Sequence, residues 1–146
     1  MIDDFHGENF FLSNFYNSPV EYGGKIWPTV EHAFQAAKVD PETAEKILHV
    51  KKPGEAKKLG RQGKMRSDWD TARVDVMREC LRSKFLNNPE LKQKLLDTGN
   101  EMLVEGTTWH DNYWGVCKCQ KCRDKGIVGV NMLGKLLMEV RDEARK

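Results

Sequence analysis

The spacing of apolar and polar positions predicts several amphipathic helices. The clearest follows "RSDWD", where Val74, Met77, Leu81 and Phe85 recur at i, i+3, i+7 and i+11 and form the apolar stripe of a core helix. A last helix is predicted from about Asn131 by four apolar residues that share one face. They are Leu133, Leu136, Leu137 and Val140.

Turn and cap residues divide the first part of the chain. Aromatic and β-branched residues between positions 10 and 27 are interrupted by "NSP" and "YGG", which predicts a short hairpin that turns at Gly23-Gly24. Thr29 is a predicted N-cap of the helix "VEHAFQAAK", and Glu31 lies near the positive end of its dipole. Asp40-Pro41 ends that helix and begins the next.

The remaining segments predict a mixed but mainly helical fold. "KKPGEAKKLGRQG" is short, basic and rich in glycine, so we expect a frayed segment that carries Arg61, Lys64 and Arg66 as a loop. "NPELKQKLLDTG" predicts a helix that Gly99 closes, and "EMLVEG" predicts a strand. The expected fold is α+β and predominantly α-helical, a single compact domain over residues 1–146 with a short N-terminal β-hairpin and about five or six helices.

Composition narrows the class of protein. A chain of 146 residues with 39% hydrophobic content suits one domain. Its 24 Lys and Arg against 22 Asp and Glu give a net charge of +2, too small to hold a long duplex by charge alone. The acidic N-terminus lacks the features of a signal peptide, and no apolar run is long enough to span a bilayer. We therefore expect a cytoplasmic protein with no membrane partner.

The helix "VEHAFQAAK" concentrates reactive groups on one side. At about 100° per residue, Glu31 and Lys38 nearly superimpose, with Phe34 and Gln35 between them. The face is either a reactive site or a solvated surface with charged ends, and its periodicity favours neither. His32 lies on another face, where a core or supporting role is expected.

A long connection before the last helix carries a second group. The segment "TTWHDNYWGVCKCQKCRDKGIVGV" is too long for a simple connector, and long polar loops often carry function. It places Asp111 among aromatic rings, beside a Gly115 that would let a ligand approach the backbone. Any one of these rings is more simply explained as filling the core around a structural Asp, but four tryptophans, all near turns or loops, shift the balance toward a stacking site.

Cysteine spacing in the same loop raises the question of a metal. Cys117, Cys119 and Cys122 follow a C-x-C-x-x-C pattern that can bind one zinc ion, with Cys80, His110 or an unidentified group as a fourth ligand. Reduced cysteines in a surface hairpin are the alternative, so the metal is left unassigned. Common nucleotide and hydrolase motifs are absent, and we expect no redox cofactor and no ATP.

Four long blocks of sequence resemble one known family. "FLSNFYNSPVEYGGKIWPTVEHAFQAAK", "GRQGKMRSDWD", "LLDTGNEMLVEGTTWHDNYWG" and "GVNMLGKLLMEVR" are similar, in this order, to the NADAR family, also called YbiA-like proteins. The chain departs from many members after Gly115, where "VCKCQKC" replaces a glycine-rich acidic turn.

The resemblance implies an N-glycosidase. Members cleave the bond between ribose C1 and the amine of a base, in ribosylaminopyrimidine phosphates of the early riboflavin pathway or in ADP-ribosylated guanine. The expected partner is thus a small ribosyl or ADP-ribosyl N-glycoside, and an ADP-ribosylated nucleic acid is a second candidate. The residues carried over as catalytic are Glu31, Lys38 and Asp111. Those expected to bind substrate are Ser13, Asn14, Phe15, Gln35, Arg66, Trp69, Trp114 and Gly115.

These groups suggest two routes for cleavage. Glu31 and Asp111 can stabilise positive charge on the sugar, and a neutral Lys38 can instead exchange into the opened imine form of a ribosylamine. A tryptophan, Trp69 or Trp114, would stack on the base, and Arg66 or Lys64 would bind phosphate. Two alternatives from other functional classes are a module that binds ADP-ribose without cleaving it and a protein-interaction domain stabilised by a zinc ion.

Overall fold

A computed structural model of the chain describes residues 1–146 and contains two compact units. One unit spans residues 14–89, and the other combines residues 1–13 with residues 90–146. Helices account for 54% of the chain, and the strands are short, so the predicted α+β and predominantly α-helical fold class is confirmed. None of the helices has the length and apolar character needed to cross a bilayer.

The unit of residues 14–89 contains the predicted hairpin and four α-helices. In chain order they are β1 (Val20–Tyr22), β2 (Lys25–Trp27), α1 (Val30–Lys38), α2 (Pro41–His49), α3 (Pro53–Gln62) and α4 (Trp69–Leu86). The strands pair antiparallel, with Val20 opposite Trp27. Gly23 and Gly24 both adopt positive φ at the turn, a conformation that glycine tolerates best, so the predicted hairpin is confirmed.

Helix α1 is the centre of this unit. Its residues from Val30 to Ala36 are all buried, and it packs against α2, α3, α4 and β1. Both predicted caps are present: Thr29 accepts from the backbone N–H of His32 at 3.1 Å, and Asp40 accepts from that of Thr43 at 3.0 Å. The backbone N–H and the hydroxyl of Thr43, with the backbone N–H of Lys64, donate to the Asp40 carboxylate and lower its pKa to about 2.

The prediction of a frayed loop at "KKPGEAKKLGRQG" is wrong. Residues 53–62 form helix α3, because Gly60 lets the helix approach α1 more closely than any side chain would allow. A Cβ at Gly60 would lie 2.0 Å from Oε1 of Gln35. After α3 the chain runs antiparallel to the end of α1, where Met65 pairs with Val39.

The other unit contains mainly helices as well. Its elements are a 3₁₀ helix (Gly7–Leu12), α5 (Pro89–Asp97), β3 (Gly106–Thr107), β4 (Val116–Cys117), α6 (Gln120–Asp124) and α7 (Met132–Ala144). The four leucine and valine positions predicted for α7 are buried, and Gly99 has positive φ after α5. The predicted strand at residues 101–106 is wrong: only Leu103 forms a bridge there, to Ile2, and β3 begins at Gly106 and pairs in parallel with β4.

The core stripe of α4 differs from its prediction at two positions. Met77, Leu81 and Phe85 are buried, but Val74 is only half-buried. Lys84 is fully buried on the same helix, with its ammonium 4.9 Å from the ring centre of Phe85 and 5.4 Å from that of Tyr16. Burial lowers the pKa of Lys84 to about 7.

Candidate functional site

Glu31 is a buried acid in the first turn of α1. Its side chain is 7% exposed, its backbone N–H donates to the carbonyl of Asn14 at 3.1 Å, and Oε1 accepts from Nε2 of Gln35 at 3.3 Å. Burying a carboxylate costs free energy, and a solvated helix face would not require it. The structure therefore excludes the interpretation of this face as a solvated surface.

Lys38 lies at the other end of the same face and is half-buried. Burial lowers the pKa of Lys38, the negative charge of Glu31 opposes that shift, and the positive charge of Arg61 adds to it. The Lys38 amine thus lies within electrostatic range of the Glu31 carboxylate and of the positively charged Arg61 guanidinium. This environment favours a larger neutral fraction than an exposed lysine has.

His32 supports the helix. Its Nε2 lies 2.9 Å from the carbonyl of Val50, and its Nδ1 lies 2.7 Å from the hydroxyl of Thr29. Because a carbonyl only accepts, Nε2 carries the proton and Nδ1 accepts from Thr29. Burial lowers the pKa of His32, which keeps the ring neutral. The expected core or supporting role is confirmed.

Gln35 and Asn14 present polar atoms beside Glu31. Gln35 is 7% exposed, and its Oε1 faces Gly60 without a hydrogen-bond partner. Asn14 donates from Nδ2 to Sδ of Met77 at 3.7 Å, and its Oδ1 is buried without a hydrogen-bond partner. A buried acceptor with no donor is costly, and the predicted contact of Asn14 with a substrate stays a prediction.

The aromatic residues of this unit differ in exposure. Trp69 is only 6% exposed and packs against Phe34, with ring centres 4.9 Å apart and planes tilted by 56°. Phe15 is 38% exposed. Trp69 thus forms part of the packing around α1, and its predicted stacking on a base stays a prediction.

Arg66 is held beside the end of α1. Its backbone N–H donates to the carbonyl of Lys38 at 2.9 Å, and its Nη1 donates to that of Ala37 at 3.4 Å. Nε and Nη2 form a fork with the carboxylate of Asp68, at 2.6 and 2.9 Å. Both partners are solvent-exposed, and the predicted contact of Arg66 with a phosphate stays a prediction.

The second predicted group lies in the unit of residues 1–13 and 90–146, where Asp111 organises a turn. Its Oδ1 accepts from the backbone N–H of Tyr113 at 3.1 Å and of Trp114 at 2.9 Å. The Trp114 ring is half-buried and contacts Tyr113 edge to face, with ring centres 5.0 Å apart. The catalytic role of Asp111 and the binding roles of Ser13 and Trp114 stay predictions.

Gly115 has a structural reason to be glycine. A Cβ there would lie 2.2 Å from the backbone carbonyl of Glu105 and 2.8 Å from the Thr107 side chain. The position that a side chain at residue 115 would take is thus occupied by the chain's own atoms. Its predicted contact with a ligand stays a prediction.

A surface cavity of about 400 Å³ lies between the hairpin turn and α4. None of the predicted site residues lines it, and the ion pair of Glu79 with Arg82 lies along its wall. The reactive groups of α1 lie elsewhere in the same unit. We therefore do not assign the chemistry to this cavity.

The sequence patterns did not identify one buried core residue, and they left one metal ligand open. Lys84 occupies a core position of α4, seven residues after Met77 and three after Leu81, and that spacing could have identified it. His110 was one of two candidates for a fourth metal ligand beside the three cysteines of its loop, and the structure places its ring against them.

Comparison with known sequences decides the family. The sequence profile of the NADAR domain matches residues 3–145. The chain belongs to the NADAR domain family. It is 41% identical over 136 residues to "N-glycosidase YbiA" of Escherichia coli (strain K12), covering 90% of this chain and 79% of that protein.

Two further relatives and one solved structure agree with this membership. "N-glycosidase Npun_R5314" of Nostoc punctiforme is 38% identical, covering 92% of this chain and 85% of that protein. "Riboflavin biosynthesis protein VVA0006" of Vibrio vulnificus is 38% identical over 99% of this chain and 37% of that protein. The NMR structure of E. coli YbiA superimposes with a TM-score of 0.83 at 37% identity, covering 99% of this chain and 85% of that one. The two relatives named N-glycosidase, from Escherichia coli and Nostoc punctiforme, confirm the prediction of an N-glycosidase at the level of enzyme class.

Proposed function

We propose that this NADAR domain hydrolyses the bond between ribose C1 and the amine of a base in a small N-glycoside. The observation that carries the proposal is the α1 face, where a buried Glu31 is held by Gln35 within electrostatic range of a half-buried Lys38. An acid held away from water is suited to stabilise a developing cation.

In the direct route, the C1–N bond breaks with its electron pair going to nitrogen. The sugar becomes oxocarbenium-like, Glu31 stabilises its positive charge, and the protonated Lys38 donates a proton to the departing amine. Water then adds to C1, and Lys38 regains a proton from it. The products are the free base amine and the ribose.

In the imine route, the ribosylamine ring opens and its nitrogen is protonated. A neutral Lys38 adds through its lone pair to C1, and the base amine leaves after taking a proton, so that Lys38 is joined to C1 as an imine. Water hydrolyses that imine and releases the ribose and Lys38. The lowered pKa of Lys38 supports this route because it enlarges the neutral fraction.

A ribosylaminopyrimidine phosphate is the substrate we place first. Two relatives carry names in riboflavin biosynthesis, from Vibrio vulnificus and from Zea mays, at 38% and 37% identity. Arg61 and Arg66 lie at the end of α1 where Lys38 is found, and they offer cations to a sugar phosphate. Asn14, whose backbone carbonyl accepts from the N–H of Glu31 and whose side-chain Oδ1 has no hydrogen-bond partner, is the group we assign to a ribose hydroxyl.

Chromatography of released bases tests the proposal. The purified chain receives a ribosylaminopyrimidine phosphate in one reaction and an ADP-ribosylated guanine oligonucleotide in another. Release of the aminopyrimidine at enzyme-catalysed rates is the expected result. Release of ADP-ribose from the oligonucleotide alone, which leaves the guanine in the strand, would assign the substrate to the ADP-ribosylated class. Binding of either compound in calorimetry without cleavage of its C1–N bond would overturn the enzyme in favour of a binding module.

A further inference from the structure

Four metal-ligating side chains converge in the loop before α7. The Sγ atoms of Cys117, Cys119 and Cys122 and a ring nitrogen of His110 all lie within 4.8 Å of one another. All four cysteines of the chain are reduced, and Cys80 is not a member of this group. Of the two residues named as a fourth ligand from the spacing, the structure places His110 with the three cysteines.

The separations suit a tetrahedral ion. His110 Nδ1 lies 3.3 Å from Sγ of Cys119 and 3.4 Å from Sγ of Cys122. Bonds of about 2.3 Å to sulfur and about 2.0 Å to nitrogen at tetrahedral angles require an N–S separation of roughly 3.5 Å. One ion can therefore contact these atoms with only small side-chain adjustments.

The local backbone is built around these ligands. His110 adopts a left-handed conformation with φ of 68°, which an L-residue rarely does. Cys119 caps α6, with its Sγ accepting from the backbone N–H of Cys122 at 3.4 Å. The Asn112 side chain forms hydrogen bonds with two of the cysteines. Its Nδ2 donates to Sγ of Cys122 at 3.4 Å, and its Oδ1 accepts from the backbone N–H of Cys117 at 2.9 Å. Such outer hydrogen bonds orient ligands around metals.

The charge of the loop also fits an occupied site. Three thiolates and one neutral imidazole around a divalent ion give a net charge of −1. Lys118, Lys121 and Arg123 alternate with the cysteines and can offset that charge. Soft thiolate ligands with one imidazole favour zinc over oxygen-seeking ions such as Mg²⁺.

We propose that His110, Cys117, Cys119 and Cys122 bind one zinc ion as a closed structural site. With four protein ligands no position is left for water, so the ion has no part in the hydrolysis. Its effect is to fix the loop of residues 109–122, in which Asp111 and Trp114 form their turn. The proposal is independent of the substrate and of the proposed reaction.

Metal analysis of the full chain, purified under reducing conditions, tests the site. We expect about one zinc per chain, retained in Cys80→Ala and His49→Ala and lost in Cys119→Ala and His110→Ala. Cobalt added to the metal-depleted protein is expected to give the intense visible bands of a tetrahedral thiolate complex. Absence of zinc together with absence of those cobalt bands would overturn the proposal, as would stoichiometric iron or zinc that persists in both ligand variants.

A chelator experiment on the unaltered protein tests the site without any substitution, so its result does not depend on whether a variant folds. Amide hydrogen exchange before and after zinc removal is expected to show lost protection concentrated in residues 106–130, restored by added zinc. Unchanged exchange throughout that segment would contradict the structural role. Neither readout depends on enzyme activity.

Discussion

The amide of Gln35 donates to the carboxylate of Glu31 at 3.3 Å, and Gln35 is held in that position because Gly60 leaves no side chain in its way. The acid is thus positioned by a neighbour one turn along α1 and by the close approach of α3. An alteration in α3 can therefore disturb a carboxylate that it does not touch.

Gly60→Ala is expected to displace Gln35. The new Cβ would lie 2.0 Å from Oε1 of Gln35, so we expect loss of about 1–3 kcal/mol in the free energy of unfolding and roughly a tenfold fall in kcat. Gly54→Ala, in open space on the same helix, is the control and should change neither quantity adversely. Adding Gln35→Ala should recover part of the stability lost in Gly60→Ala. Strict additivity of the two changes would contradict the contact.

Arg61→Gln is expected to move the pH dependence of activity. The charge of Arg61 lowers the pKa of Lys38, so its removal raises that pKa and, in the imine route, shifts the rising limb of kcat to higher pH. Lys58→Gln removes the same charge from an exposed position of α3 and serves as the control. A profile of Arg61→Gln that coincides with the control would contradict the electrostatic coupling.

Lys84→Met is expected to change how stability depends on pH. Because the pKa of Lys84 is about 7 in the folded chain and 10.5 in the unfolded one, the unfolded chain binds more protons between these values. Stability contributed by Lys84 therefore rises with pH above 7, by about 1 kcal/mol per pH unit.

Urea titrations between pH 7 and 9 measure this contribution as a difference. The difference in free energy of unfolding in favour of Lys84→Met should shrink as the pH rises. Groups present in both proteins, such as Cys80, whose pKa burial raises to about 12, cancel when the two values are subtracted. Lys46→Met, on the exposed side of α2, should run parallel to the unaltered chain. A constant difference for Lys84→Met would show that the amine does not titrate in this range.

Local signals explain which parts of the fold could be predicted. Thr29, Asp40 and the Gly23-Gly24 turn act through hydrogen bonds and dihedral angles within a few residues, and the structure has all three. Helix α3 could not be predicted so easily, because glycines disfavour a helix by propensity. Only the structure shows that Gly60 packs directly against Gln35, where a side chain would not fit. Its stability comes from tertiary packing, which overrides propensity.

The candidate site shows the same limit. Periodicity placed Glu31, Gln35 and Lys38 on one face of α1, but it could not tell a solvated face from a buried one. Helix α1 packs against α3 and α4, which are distant in sequence, and the backbone N–H of Glu31 donates to the carbonyl of Asn14 in an irregular segment. The ring of His110 likewise reaches the cysteines through a left-handed backbone that no spacing rule predicts.

Borohydride reduction decides between the two routes. With a ribosylamine substrate, the imine route predicts a covalent sugar adduct on the unaltered chain that mass spectrometry assigns to Lys38 and that is absent from Lys38→Met. Lys46→Met should retain the adduct. Trapping at another lysine, or full activity of Lys38→Met, would eliminate this route.

Replacement of Glu31 tests the central claim most directly. Glu31→Gln keeps the shape and removes the charge, while Glu42→Gln makes the same change at the second residue of α2, where the side chain is exposed. Base release by chromatography is compared among the two variants and the unaltered chain, after circular dichroism has shown all three folded. We predict a fall in kcat of about 100-fold or more for Glu31→Gln and no change for Glu42→Gln; a folded Glu31→Gln with near-normal kcat would contradict the assignment of Glu31 as the carboxylate that stabilises the sugar cation.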